Sequence, residues 1–322
     1  MQHHLSKRIF SMIRRVLLVV AMPIVLYALL SIYEPTYLNG HIILMTITQS
    51  LPNFAVGLSM VFGMIVGIFD FSVGARVALS GVIGVYFSRI FGFWGFILGC
   101  MIASIVLALI TGLMYSKLRI PSIIAGFASM LVYESISVII VNNMTNSLDS
   151  SFIFLGSQPY IYIVMSIMFL LVWIIFNRTR FGYQIKAIGG NESVAKSMGI
   201  NSPKLKLYTY LIGGIFLGVA TIVSISSSGN VNPVQNMSSM AKVFTPMMGV
   251  MIGMTFSSCD AVIGSFIGQL SITIVSTGLV ALGIEHRLQN VIVGSVLLMI
   301  LIVQTNKHLF VDKLKIAKNQ IA

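Results

Sequence analysis

The sequence predicts an all-α, polytopic membrane protein of about ten transmembrane helices. Both termini are expected on the cytoplasmic side, together with one short exposed helix. Three observations carry this. The 322-residue chain is 57% hydrophobic and only 9% charged, against about 25% charged in a soluble domain. Its apolar residues come in blocks near the ~20 that cross a bilayer core. Its Lys and Arg residues gather in short segments between those blocks, the pattern that orients membrane helices. No polar stretch is long enough to enclose a core, so a large soluble domain has no place in the chain.

Residues 1–15 carry Lys7, Arg8, Arg14 and Arg15 and lead into a first apolar span at 16–32, closed by Glu34, Pro35 and Thr36. No small-residue cleavage site follows, so this span reads as a membrane helix and not as a removable leader. The second span, 41–69, would reach roughly 43 Å at helical rise and overshoot a ~30 Å core. It must tilt or break, and Pro52 is expected to supply the break. After a turn at Asp70, Phe71 and Ser72, spans follow at 73–88, 93–115 and 121–141, the last opened by Pro121. A polar segment at 142–156 precedes a sixth span at 159–176, and the basic segment 177–206 precedes a seventh at 207–227. A second polar segment, 228–242, leads to spans at 243–256, 261–282 and 288–304 and a basic tail at 305–322. Residues 1–322 read as a single transmembrane domain.

The charges agree with this layout. With the N-terminus inside, seventeen of the twenty Lys and Arg residues are cytoplasmic, Arg76 among them, and only Arg89, Lys242 and Arg287 are outside. An even number of spans keeps both basic ends inside. The formal charge of +12 therefore reflects membrane orientation, and no nucleic-acid partner is implied.

The segment 177–206 is the longest polar run and holds six of those cations. Gly189 and Gly190 are expected to break the chain and Asn191 to cap a new helix. Glu192 places a negative charge at the positive end of the helix dipole, and Gly199 supplies a left-handed stop. A short exposed helix is therefore predicted over 191–198. Such caps and charges fit a docking element and a solvated topology loop equally well.

Chemistry has few places to sit. Glu134 is the one acidic residue deep inside a span, and a carboxylate there should face the bundle interior or water. It is either a gate residue or a structural hydrogen-bond acceptor. Gln49 and Asn53 flank Pro52 on one helical face. Their amides would suit a neutral polyhydroxyl solute lining a pathway, or would bond between helices near a kink. Asp70 with Ser72 forms a polar break that serves a pathway or merely caps the next helix, and Ser257 to Asp260 makes a similar break. Cys100 and Cys259 suggest neither a disulfide framework nor a metal site. No phosphate-cradling loop, metalloprotease helix or serine-nucleophile elbow occurs, so an enzyme is disfavoured. Gly pairs four apart (63/67, 95/99, 214/218, 249/253, 264/268) point to close helix packing or a subunit interface.

The stretch TRFGYQIKAIGGNESVAKSMGIN, 179–201, resembles the cytoplasmic coupling segment of the membrane permeases of sugar-type ABC importers. GIFDFSVGARVALSG, 67–81, is similar to a second stretch of the same family, and Ile120-Pro121 with the Glu134 region matches in spacing. The resemblance implies a ten-helix permease in the bacterial inner membrane, paired with a second permease subunit, identical or paralogous. It implies solute delivered by an extracytoplasmic binding protein and a cytoplasmic ATPase that binds the ATP, leaving this chain without a cofactor. Gly189, Gly190, Asn191, Glu192, Ala195, Lys196 and Gly199 would form the ATPase-coupling surface. Gln49, Asn53, Asp70, Ser72 and Glu134 would border the pathway or gate. The chain departs from the family at Glu134-Ser135, where Arg-Gly is usual, and at 249–260, where Gly-Gly pairs are missing. The solute could be a pentose, a hexose, an inositol or a furanosyl compound. The rival class is an ion-gradient-driven secondary transporter.

Overall fold

The computed structural model describes residues 23–28, 30–32, 37, 39–118, 120–142, 146–255 and 260–285, with scattered positions between 288 and 302. The basic N-terminus, residues 16–22 and 29 of the first span, Arg119, residues 143–145, Ser257 to Cys259 and the tail lie outside the described residues. Among those described, the chain is helical, and extended pairing is confined to a bridge between Ser147 and Asn230.

Among the described residues from Gly40 to Ala281, nine α-helices follow one another. They are α1 Gly40–Ile65, α2 Val73–Ser116, α3 Ser122–Val141, α4 Tyr160–Arg178, α5 Arg180–Gly190, α6 Glu192–Ser197, α7 Ser202–Ser228, α8 Ser239–Thr255 and α9 Ala261–Ala281. A 3₁₀ helix, Ser150–Gly156, lies between α3 and α4. Six of these helices (α1, α2, α3, α4, α7 and α9) are long and apolar enough to cross a membrane, and α8 is a shorter apolar helix.

The expected spans at 73–88 and 93–115 are the two limbs of α2. The chain reverses at Gly92, whose φ of 60° and ψ of −144° only glycine adopts readily. The limbs return side by side. A Cβ on Gly99 would lie 3.0 Å from the Gly84 Cα, and one on Gly95 would lie 2.2 Å from the Phe87 carbonyl oxygen.

Packing relies on small residues, because lipid removes the hydrophobic drive between membrane helices. Gly249 and Gly253 of α8 meet Gly264 and Gly268 of α9: a Cβ on Gly253 would fall 2.3 Å from the Gly264 carbonyl carbon. Gly214 and Gly218 press α7 against the second limb of α2, where Ser104 Oγ donates to the Gly214 carbonyl at 2.8 Å. These glycines therefore pack within the bundle. At its centre Phe62 of α1, with no exposed surface, meets the rings of Phe176, Phe181 and Phe216 at 5.9–6.4 Å. Outward, α4 exposes Ile163, Ile167, Leu170, Leu171 and Ile174. Such an apolar stripe suits lipid or a packed neighbouring helix.

Three expectations are corrected. Pro52 does not break α1, which runs unbroken from Gly40 to Ile65. The long second span instead ends early, at a turn through Gly67 with φ of 78°. Arg76 is not a loop cation; it sits in the first turn of α2 with 4% of its surface exposed. Gly189 and Gly190 do not break the chain either, because they are the last residues of α5.

Candidate functional site

The basic segment folds as a corner of two helices, α5 and α6, between the long helices α4 and α7. Thr179 opens α5 by accepting the Gly182 amide at 3.2 Å. Ile185 and Ile188 are buried, so α5 lies on the bundle along one face. The break comes at Asn191, whose φ of −161° and ψ of 107° are extended. Its side chain accepts the Ser193 and Val194 amides at 3.0 and 3.2 Å, as the N-cap of α6 should.

The far end of α6 closes as a Schellman motif. Ile200 N–H donates to the Ala195 carbonyl at 3.1 Å and Gly199 N–H to Lys196 at 3.0 Å, with Gly199 at φ of 83°. Ala195 is buried in the main core cluster. The opposite face is open: Val194 and Met198, four apart, are 55% and 76% exposed. A six-residue helix with two satisfied ends presents an apolar pair to whatever lies beyond.

Glu192 fixes this helix to α7. Its Oε1 accepts from Ser202 Oγ at 2.6 Å and pairs with Lys196 at 3.0 Å, while Oε2 pairs with Lys206 at 3.0 Å. The Ser202 hydrogen bond, then those of Lys196 and Lys206, hold the carboxyl down at about 2. Gly189 ties the corner to α1, since a Cβ there would lie 2.4 Å from the Ile65 carbonyl oxygen. Gly190 faces open space. The predicted set thus lies in one corner, with open space beside both Gly190 and Gly199. Ser202 and Lys206 were missed; their signal was a hydroxyl and a cation just past the Gly199 turn.

The residues proposed for a pathway do not form one site. Gln49 is exposed and Asn53 half-buried, and they share a face of α1. Asp70 and Ser72 are buried, and Asp70 does more than cap a helix. Its Oδ1 accepts both the amide and the hydroxyl of Ser72, at 2.9 and 2.6 Å, and its Oδ2 pairs with Arg76. A buried guanidinium beside a carboxylate needs such a partner. Arg76 was missed here because a lone arginine near a span end reads as an orienting charge.

Glu134, 2% exposed, reaches the start of α8, where the Ser239 carbonyl lies close against Gly74 of α2. Its Oε2 accepts the Met237 amide at 2.9 Å and its Oε1 the Ser239 amide at 2.8 Å. Asn236 and Met237 take positive φ values, 58° and 64°, which turn those amides toward it. Glu134 therefore supplies from α3 the N-terminal cap of α8. Of its two expected roles these contacts fit the structural one, with one backbone amide on each carboxylate oxygen.

Helices long and apolar enough to span a membrane, with apolar stripes on their outer faces, define the class: a multi-pass membrane protein. The comparisons then place it. Residues 42–301 match the family described as branched-chain amino acid transport system / permease component. The chain is 26% identical over 312 residues to the galactose/methyl galactoside import permease protein MglC of Haemophilus influenzae, covering 88% of this chain and 92% of that one. It is 29% identical over 296 residues to the ribose import permease protein RbsC of Bacillus subtilis (88% and 90%). It is 25% identical over 302 residues to the RbsC of Escherichia coli (88% and 92%). No solved structure matches. The chain belongs to this permease family, in its sugar-type ABC importer branch.

Proposed function

We propose that this protein is the membrane permease subunit of a bacterial inner-membrane ABC importer that carries a monosaccharide or sugar-like solute inward. Solute comes from an extracytoplasmic binding protein docked near 142–156 and 228–242 and crosses between two permease subunits. The observation that carries the reading is the α6 corner, capped at both ends and showing Val194 and Met198 outward. We assign it, on the cytoplasmic side, to a cleft of a separate ATPase. That partner binds the ATP, and this chain performs no chemistry and holds no cofactor. Val194 and Met198 supply apolar burial to the contact, while Glu192 and Lys206 pass its displacement to the start of α7. The relatives are named for ribose and for galactose or methyl galactoside. The two amides on α1, Gln49 and Asn53, suit a neutral polyol of that kind.

The test is transport by the reconstituted complex. Deleting residues 191–197, or making Glu192→Lys, should abolish solute-stimulated ATP hydrolysis and uptake while the permease still inserts. Continued ATP-dependent uptake by the deletion variant overturns the coupling assignment. Uptake that collapses with an uncoupler while ATP stays high supports the ion-driven class instead.

A further inference from the structure

Where the end of α1, the start of α2 and the start of α7 meet lies a small, partly open cavity of about 30 Å³. Its wall includes Ser59, Asp70, Arg76, Thr209 and Tyr210. Arg76 and Tyr210 are 4% and 5% exposed, yet Arg76 Nε and Tyr210 Oη have no partner in the protein. Two buried donors facing a cavity call for an acceptor inside it. The rest of the wall limits what that acceptor is. Ser59 Oγ donates to the Val56 carbonyl and Thr209 Oγ1 to the Lys206 carbonyl, both at 2.6 Å, so each hydroxyl keeps a free lone pair. The occupant must therefore both accept and donate. The Asp70 carboxylate disfavours an anion and the Arg76 guanidinium disfavours a cation. An apolar occupant would leave both donors orphaned.

We propose that this cavity is an internal hydration site holding about two water molecules, in keeping with the ~10–15 Å³ that one buried water requires. One accepts from Arg76 Nε and one exchanges hydrogen bonds with Tyr210 Oη. The placement gives the waters a mechanical meaning. Tyr210 lies one turn beyond Lys206, whose ammonium holds Glu192 and sits 5.7 Å over the Tyr115 ring; that ring is 6.0 Å from Tyr210. Side chains thus run in contact from α6 to the cavity, and water completes the bond between α7 and the ion pair of α2. A water-bridged joint holds its groups solvated and still changes partners as α7 shifts.

Radiolytic hydroxyl labelling of the full chain in lipid nanodiscs tests this without any partner protein. Water beside a buried side chain permits its oxidation. Tyr210 and Met60, on the cavity wall, should be oxidised at least tenfold faster than Met130 and Met247, which are 0% and 5% exposed away from it. After mixing with ¹⁸O-water, the label at Tyr210 should appear more slowly than at exposed Tyr183. Tyr210→Phe keeps the ring and removes the hydroxyl, so oxidation of Met60 should fall several-fold. Tyr210 and Met60 as protected as Met130 would show a dry cavity and overturn the proposal. Label appearing at Tyr210 as fast as at Tyr183 would show an open crevice and overturn it equally. An unchanged Met60 rate in Tyr210→Phe would overturn the assignment of the hydroxyl as a water partner.

Discussion

Replacing Glu192 by Gln keeps the size of the side chain and removes its charge, so it isolates what the carboxylate does for α6. The folded carboxyl is held at about 2 against an ordinary 4.5. That difference of about 2.5 units corresponds to a ceiling of ~3.4 kcal/mol favouring the folded corner. The Glu192 side chain is 37% exposed and Lys196 55% exposed, so solvent screening reduces the figure to about 1 kcal/mol. The Ser202 hydrogen bond is the largest contributor to the remainder, followed by the Lys196 and Lys206 contacts. A loss of about 1 kcal/mol raises the open fraction of the corner roughly fivefold.

Hydrogen exchange reads this directly. At pH 7 the amides of α6 in Glu192→Gln should exchange about fivefold faster than in the wild type, with α1 and α9 unchanged. The sign with pH comes from the depressed value: the stabilisation is present above 4.5 and is lost as pH falls from 4.5 through about 2. Corrected for intrinsic rates, the difference between variant and wild type should shrink across that window. Equal protection at pH 7 would refute the argument, and so would a difference that widens on acidification.

Other substitutions test the remaining assignments. Glu134→Leu strips the acceptors from two amides at the start of α8, a loss of roughly 2–6 kcal/mol at ~1–3 per orphaned donor. Thermal unfolding in detergent should show it, with Glu134→Gln intermediate. Asp70→Asn or Arg76→Met alone leaves one buried charge unpaired and should cost about 3–5 kcal/mol, while the double variant recovers much of that loss; denaturation midpoints measure the cycle. Gly189→Ala drives a methyl against the Ile65 carbonyl and should destabilise by about 1–3 kcal/mol. Gly190→Ala meets open space and should be neutral or stabilising by up to ~1 kcal/mol.

The parts of the fold readable in advance were those fixed by local signals. Apolar blocks located the helices because each buries or exposes an apolar surface along its own length. The Asn191 cap, the Glu192 charge and the Gly199 stop were legible for the same reason: each acts on backbone within a few residues. The helicity of Gly189 and Gly190 was not. Taken singly, two adjacent glycines favour a break; packing of Ile185 and Ile188 and the close approach to Ile65 hold them in α5. Pro52 misled in the same way, since α1 continues unbroken through it, with neighbouring helices packed against this stretch.

Long-range partners were beyond a linear reading, and Glu134 is the residue where this mattered most. A carboxylate inside a span suggests titration, because burial disfavours its charge unless something replaces water. Water is replaced here by a pair of amides more than a hundred residues away in sequence, aimed by the left-handed turn at Asn236 and Met237. Nothing in the local sequence around residue 134 announces that turn. Once it is seen, the carboxylate completes the start of α8, where the helix dipole favours negative charge as well. Proton-coupled transport needs a group free to lose its bonds and take up a proton in each cycle. Releasing Glu134 would unbind both amides and disturb the start of α8. Its geometry therefore favours transport energised from outside the bundle over an ion gradient working through this residue. Uptake by Glu134→Gln, assayed in vesicles across pH 5.5 to 8, should accordingly keep the wild-type pH profile even where its overall level falls with stability. A profile flattened by that one substitution would return the residue to the transport step.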